Sequence, residues 1–112
     1  MMRYSKSSMF GLLLFTVSAF AARAEVNVVA SIKPVHSLVA AVMAGVGKPG
    51  LIIEGGGSPH TYALKPSQAA MLERADLVFW IGHELEAFLE KPLKTIAARA
   101  KSVELIEADG LV

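Results

Sequence analysis

The sequence predicts an α/β fold, a parallel sheet with helices on both faces. Three observations carry that expectation. Short apolar runs rich in β-branched and aromatic residues alternate with segments of helical apolar spacing along residues 26–106. Such alternation argues for strand–helix–strand units and parallel pairing. The run Leu77-Val78-Phe79-Trp80-Ile81 is apolar without a break, as in a strand covered on both faces. The chain has 112 residues and no cysteine, so a small domain here must be held by its core and not by disulfides.

The first segment is read as an address and not as part of the fold. Arg3 and Lys6 precede a 12-residue apolar stretch from Met9 to Phe20, and Ala22-Arg23-Ala24 follows with small residues one apart. That order predicts a secretory signal peptide over residues 1–24, cleaved after Ala24. The apolar stretch is shorter than the roughly 20 residues a bilayer span requires.

The elements follow in order. Val26 to Ser31 predicts a first strand. Pro34 suits the first helical position, and Val35, Leu38, Val39, Val42 and Met43 then recur at the spacing of one helix face. Gly45 and Gly47 end that helix. Leu51-Ile52-Ile53 predicts a second strand, Pro66 to Ala75 a second helix, and Leu77–Ile81 the third strand. Leu85, Phe88, Leu89, Leu93 and Ile96 share a helical face, with Pro92 expected to bend or divide the helix. Val103 to Ile106 predicts a fourth strand. Removing residues 1–24 leaves 88, which makes a thin sheet for a doubly wound domain. Residues 25–112 therefore read as an incomplete domain, the N-terminal part of a longer protein.

Charge narrows the function. Of 11 basic and 10 acidic residues, the leader takes three basic ones (Arg3, Lys6, Arg23), leaving 8 and 10 and a net charge of −2. The basic footprint of a nucleic-acid binder is absent. Without cysteine there is no lipid-modified cysteine after the signal, so the product is expected to be free in the exported compartment. Any metal site in this stretch must use nitrogen and oxygen ligands.

The most constrained stretch is Gly55-Gly56-Gly57-Ser58-Pro59-His60-Thr61-Tyr62, continuing to Leu64-Lys65-Pro66-Ser67. The glycines are expected to supply positive φ and a sharp bend. Pro59 fixes its own φ and restricts Ser58. The residue so placed is an imidazole, the commonest protein metal ligand.

All three histidines follow predicted strand ends: His36 after the first, His60 after the second and His83 after the third. Open α/β sheets bind ligands beyond the carboxyl ends of their strands, so all three are expected at that edge. His36, in the first turn of an amphipathic helix, reads as an ordinary packed or surface histidine. His83 reads as a plain residue at a helix start. His60 is the candidate ligand, because its flanks constrain it on both sides. Phosphate binding by the glycine run is disfavoured, since Pro59 removes an N–H and no P-loop lysine is present. Nucleophilic catalysis lacks both a cysteine and a Gly-x-Ser-x-Gly elbow. Glu84 and Glu86 read as a solvated face.

At these residues the chain resembles the periplasmic zinc-binding proteins of ABC-type uptake systems, within the wider class of metal-specific solute-binding proteins. The matching blocks are Val29–Val35, Gly57-Ser58-Pro59-His60-Thr61-Tyr62 with Leu64–Ser67, Ala75–Gly82 and Glu84–Leu89. The resemblance implies two α/β lobes joined by a long rigid helix, with residues 25–112 forming part of the N-terminal lobe. It implies a non-enzymatic transport component that captures Zn(II) in the periplasm and delivers it to an inner-membrane ABC permease, expected to act as a monomer. The Ser-Pro-His histidine is a metal ligand in that family, which assigns His60; the remaining ligands would lie beyond residue 112. His36 and His83 match no family ligand position, with His83 near enough the cleft for an accessory contact. Because protons compete with metal for an imidazole nitrogen, affinity is expected to fall with acidification. The alternatives are a manganese or iron binder of the same architecture and an exported hydrolase using His60 with Glu84. A surface adhesin role, found in the wider class, is a further possibility.

Overall fold

The computed structural model describes residues 24–111; the expected signal peptide lies outside the described residues except for Ala24. Four strands and three helices alternate as β1 (Val28–Ala30), α1 (Lys33–Val42), β2 (Gly50–Leu51), α2 (Pro66–Glu73), β3 (Leu77–Trp80), α3 (Ala87–Thr95) and β4 (Lys101–Glu104), with a 3₁₀ turn at Leu105–Glu107. The sheet order is β2-β1-β3-β4, and every pairing is parallel. The predicted fold class is the observed one. No helix among the described residues is long and apolar enough to cross a membrane.

The register divides the sheet into two faces. Val29 pairs with Val78, while Val28 pairs with Leu77 and Ala30 with Phe79. Side chains alternate along a strand, so Val29, Val78 and Trp80 face one way and Val28, Leu77 and Phe79 the other. The first set joins Ile52, Ile53, Leu72, Ala75, Leu89, Leu93 and Ala97 in one buried cluster. That cluster lies between the sheet and the pair α2 and α3, which touch each other. On the opposite face α1 lies over β1 and β2. Beside it, Leu77, Phe79 and Leu105 line an apolar groove with Val35, Leu38, Val39 and Val42.

This arrangement corrects two expectations. β3 was expected to be covered on both faces, but its burial alternates, with Val78 and Trp80 buried and Leu77 and Phe79 only partly so. The reason is that α1 packs mainly on β1 and β2 and leaves an open groove beside Leu77 and Phe79. The predicted apolar stripe of α1 is likewise only half used: Val35 is buried, whereas Leu38 and Val42 are 69% and 86% exposed. Of the two outcomes expected at Pro92, division of the helix does not occur. α3 continues through it as one helix, and Leu89 and Leu93 on either side both reach the core.

β2 is short by its ladder, yet the chain beyond it stays in register. Ile52 N–H donates to Ala30 O and Ile53 N–H to Ser31 O, at 3.0 and 2.9 Å. The buried Ile52 and Ile53 thus fix the point where the candidate loop leaves the sheet.

Candidate metal centre

The loop from Glu54 to Lys65 starts at the carboxyl end of β2 and ends at the N-cap of α2. Its centre is a tight turn, Ser58-Pro59-His60-Thr61, closed by Thr61 N–H donating to Ser58 O at 3.2 Å. Pro59 occupies the second position, where its fixed φ is already suitable, and serine suits the first. No non-glycine residue among those described has positive φ, which gives the turn the type I sense and not type II. The Ser58 hydroxyl accepts a second bond from His60 N–H at 3.3 Å. The imidazole of His60 therefore stands on a turn held by two short-range bonds, and its residue is exposed.

The glycine run works differently from the expectation. None of Gly55, Gly56 and Gly57 has positive φ; that conformation falls on Gly45, Gly82 and Gly110. Gly57 is instead a matter of space. A Cβ there would lie 3.4 Å from Cδ2 of the Tyr62 ring. Gly55 and Gly56 face open space.

Two residues that the sequence reading did not single out tie this loop down. Gln68 is buried in the first turn of α2, 6% exposed. Its Oε1 accepts from Lys65 N–H at 2.8 Å. Its Nε2 donates to Ile52 O at 2.7 Å and to the Tyr62 hydroxyl at 2.5 Å. The Tyr62 ring in turn packs on Phe88 of α3, centroids 5.2 Å apart and tilted by 55°. A glutamine three residues after a helix start is the sequence mark of a capping-box arm. With lysine and not Ser, Thr, Asp or Asn at the N-cap, that mark is incomplete in this sequence, and only its Gln68 half is formed.

The β3–α3 turn forms the neighbouring rim. Gly82 sits at φ +153°, and a Cβ on it would come within 2.7 Å of Glu104 Oε1 and 2.9 Å of Ile106 Cγ2. The backbone N–H groups of Ile81 and Gly82 both donate to Glu86 Oε2, at 2.7 and 3.2 Å. Glu86 is fully buried. The expected solvated face at Glu84 and Glu86 is thus corrected: Glu84 is exposed, but Glu86 is an internal clamp on the end of β3. Its Oε1 has no hydrogen-bond partner among the described residues. One oxygen therefore does the structural task, and an amide can replace the carboxylate. Glu86→Gln is expected to shift stability by less than about 1 kcal/mol, whereas Glu86→Ala leaves two donors without an acceptor and costs roughly 2–4 kcal/mol. Urea unfolding of the pair checks this; equal losses would show that the charge itself matters.

The histidines do not converge. His36 donates from Nε2 to Pro49 O at 3.0 Å, which turns its ring toward the α1–β2 connection and away from the rim. Helix α1 runs back along the sheet from its first turn, so a residue near a strand end need not face the ligand edge. His83 is on the rim but is held by Glu104, with its N–H donating to Oε1 at 3.3 Å and Nδ1 3.5 Å from the same oxygen. No group of three or more His, Cys, Asp or Glu able to hold a metal occurs among the described residues. Nor does any hydrogen bond among these residues join His60 to Glu84, the pair a hydrolase would use. An exposed imidazole on a rigid turn suits one corner of a four-ligand site, and these residues by themselves offer no more than that.

Residues 28–111 match the family model described as zinc-uptake complex component A, periplasmic. A zinc uptake protein named ZnuA from Brucella abortus is 53% identical over 97 residues, which is 87% of this chain and 29% of the relative. Another of the same name, from Paracoccus denitrificans, is 41% identical over 80% of this chain and 28% of the relative. The chain thus spans under a third of the length of these relatives. Among solved structures, the Zn(II)-bound ZnuA-like domain of Streptococcus pneumoniae AdcA superposes with a TM-score of 0.66 at 24% identity, over 79% of this chain and 33% of that one. A Mn-bound periplasmic metal-binding protein from Candidatus Liberibacter asiaticus gives 0.64 at 18%, over 77% and 33%. Both show the fold.

Proposed function

This chain belongs to the family of periplasmic zinc-uptake components, and on that premise we propose that it serves to capture Zn²⁺ outside the inner membrane and deliver it to an ABC-type permease. His60 is the ligand this stretch contributes, donating a neutral imidazole nitrogen to the ion. The observation that carries the reading is the placement of His60, exposed on a proline-fixed turn at the carboxyl edge of a parallel sheet, where such folds bind ligands. Zinc is favoured over manganese because the relatives at 41% and 53% identity are zinc-uptake proteins, while the manganese-bound protein shares only the fold at 18%. Zn²⁺ is here a cargo. Transport, export to the periplasm behind a cleaved leader and action as a monomer belong to the same proposal.

Two measurements test it. Equilibrium dialysis of the full-length protein against equimolar Zn²⁺ and Mn²⁺ is expected to retain zinc; retention of manganese would move the reading to the manganese class. Titration of the 112-residue chain alone is expected to show binding weaker than micromolar, since one imidazole cannot hold a tetrahedral ion. Submicromolar binding that vanishes in His36→Ala or His83→Ala would place the site on the three local histidines instead.

A further inference from the structure

We propose that Gln68 is the positioning residue of the metal loop, acting through Tyr62 to set where the His60 imidazole stands; this rests on His60 being a zinc ligand. Three bonds from one buried amide converge on the loop from both sides. Ile52 O lies at the point where the chain leaves the sheet, and Lys65 N–H at the point where it enters α2. The third partner, the Tyr62 hydroxyl, is two residues past His60. Both amide hydrogens and the carbonyl oxygen of Gln68 are thereby engaged, which is unusual economy for a residue 6% exposed.

The tie continues through the Tyr62 ring. On one side it meets Phe88 of α3. On the other, its Cδ2 lies 3.4 Å from where a Cβ on Gly57 would stand, an ordinary van der Waals distance. Gly57 and Tyr62 bracket the Ser58–Thr61 turn, so fixing the ring fixes both flanks of the turn that carries His60. Among the described residues the turn itself has two short-range bonds, both at Ser58, and these shape it without placing it relative to the sheet. Placement is left to Gln68 and Tyr62. A ligand held in place before the ion arrives loses less conformational freedom on binding, and partners that orient a ligand commonly change metal affinity by about 10–100-fold.

The test uses the full-length protein and Zn²⁺, with affinity read by competition against a chromophoric chelator and stability by thermal melting without metal. Gln68→Met keeps the side-chain length and removes all three bonds; it is expected to weaken zinc binding about tenfold. Tyr62→Phe keeps the ring and removes only the hydroxyl; about fivefold is expected, one ordinary hydrogen bond. Leu93→Ala, a core change on α3 that removes none of the three Gln68 bonds, is expected to lower the melting temperature with a smaller effect on affinity than Gln68→Met. Should Gln68→Met not fold, Tyr62→Phe reads the same tie. Wild-type affinity in Tyr62→Phe and Gln68→Met, with binding lost in His60→Ala, overturns the positioning role and leaves the ligand assignment standing. Equal weakening by Leu93→Ala overturns it as well, by reducing the effect to general destabilisation. Normal binding in His60→Ala removes the ligand reading on which the inference rests.

Discussion

Replacing His60 by alanine in the full-length protein is expected to weaken Zn²⁺ binding by more than about 100-fold, with little change in melting temperature. The size follows from coordination. Zinc closes a tetrahedron, and removal of one nitrogen leaves water in its place. Even residues that merely orient a ligand cost about 10–100-fold when changed, so a ligand itself should exceed that range. The small effect on folding follows from the position of the residue. His60 is exposed, and among the described residues it is its backbone N–H that forms a hydrogen bond, to the Ser58 hydroxyl, which alanine retains. Isothermal titration and a melting curve on the same preparation separate the two quantities. Wild-type affinity in the variant would sink the proposed function.

The second large effect is in the core. Leu72→Ala is expected to destabilise the protein by roughly 2–5 kcal/mol. Leu72 is fully buried, on the helix whose first turn carries Gln68, and its neighbours in the cluster come from β1, the end of β2, β3 and α3. Those neighbours belong to a sheet and a second helix and have little room to collapse into the space left behind. A typical domain is stable by only about 5–15 kcal/mol, so much of its stability would go. Urea unfolding measures the loss, and a change under about 1 kcal/mol would show that the cluster is looser than its burial indicates. Because α2 also presents Gln68, partial unfolding of the loop should accompany the global loss. Hydrogen exchange at Tyr62 would show this as protection falling in step with that of the core.

Much of the architecture is written in periodicity. Apolar runs and helical spacing gave all four strands and all three helices, with boundaries shifted by a few residues. These signals are local, because a strand or helix needs a continuous apolar face whatever lies against it. The histidine at the turn was legible for a similar reason: Ser58-Pro59 restricts the backbone by itself. What escaped the sequence was which polar residues go inside. Glu84 and Glu86 are two apart and chemically alike, yet one is exposed and the other has no exposed surface. The difference is that the turn after β3 brings two N–H groups to Glu86. Gln68 has the same character, buried because Ile52 O and the Tyr62 hydroxyl happen to need its hydrogens.

The glycines make the point from the other side. Their freedom is a property of the residue, but its use is set by the surroundings. The run at 55–57 invites positive φ and does not take it, while Gly82 does take it and also has no room for a Cβ beside Glu104 and Ile106.

By itself, then, the sequence determined the layered parallel architecture, the likeness to zinc-uptake proteins and the one histidine on a stiff turn. Each depends on chain-local chemistry: side-chain period, proline geometry and residue type. Only the tertiary structure decided that His36 turns to Pro49, that Glu86 is a buried clamp and that Gln68 and Tyr62 hold the loop. Hydrogen bonds and burial across distant segments depend on which atoms meet, and no local pattern encodes that meeting.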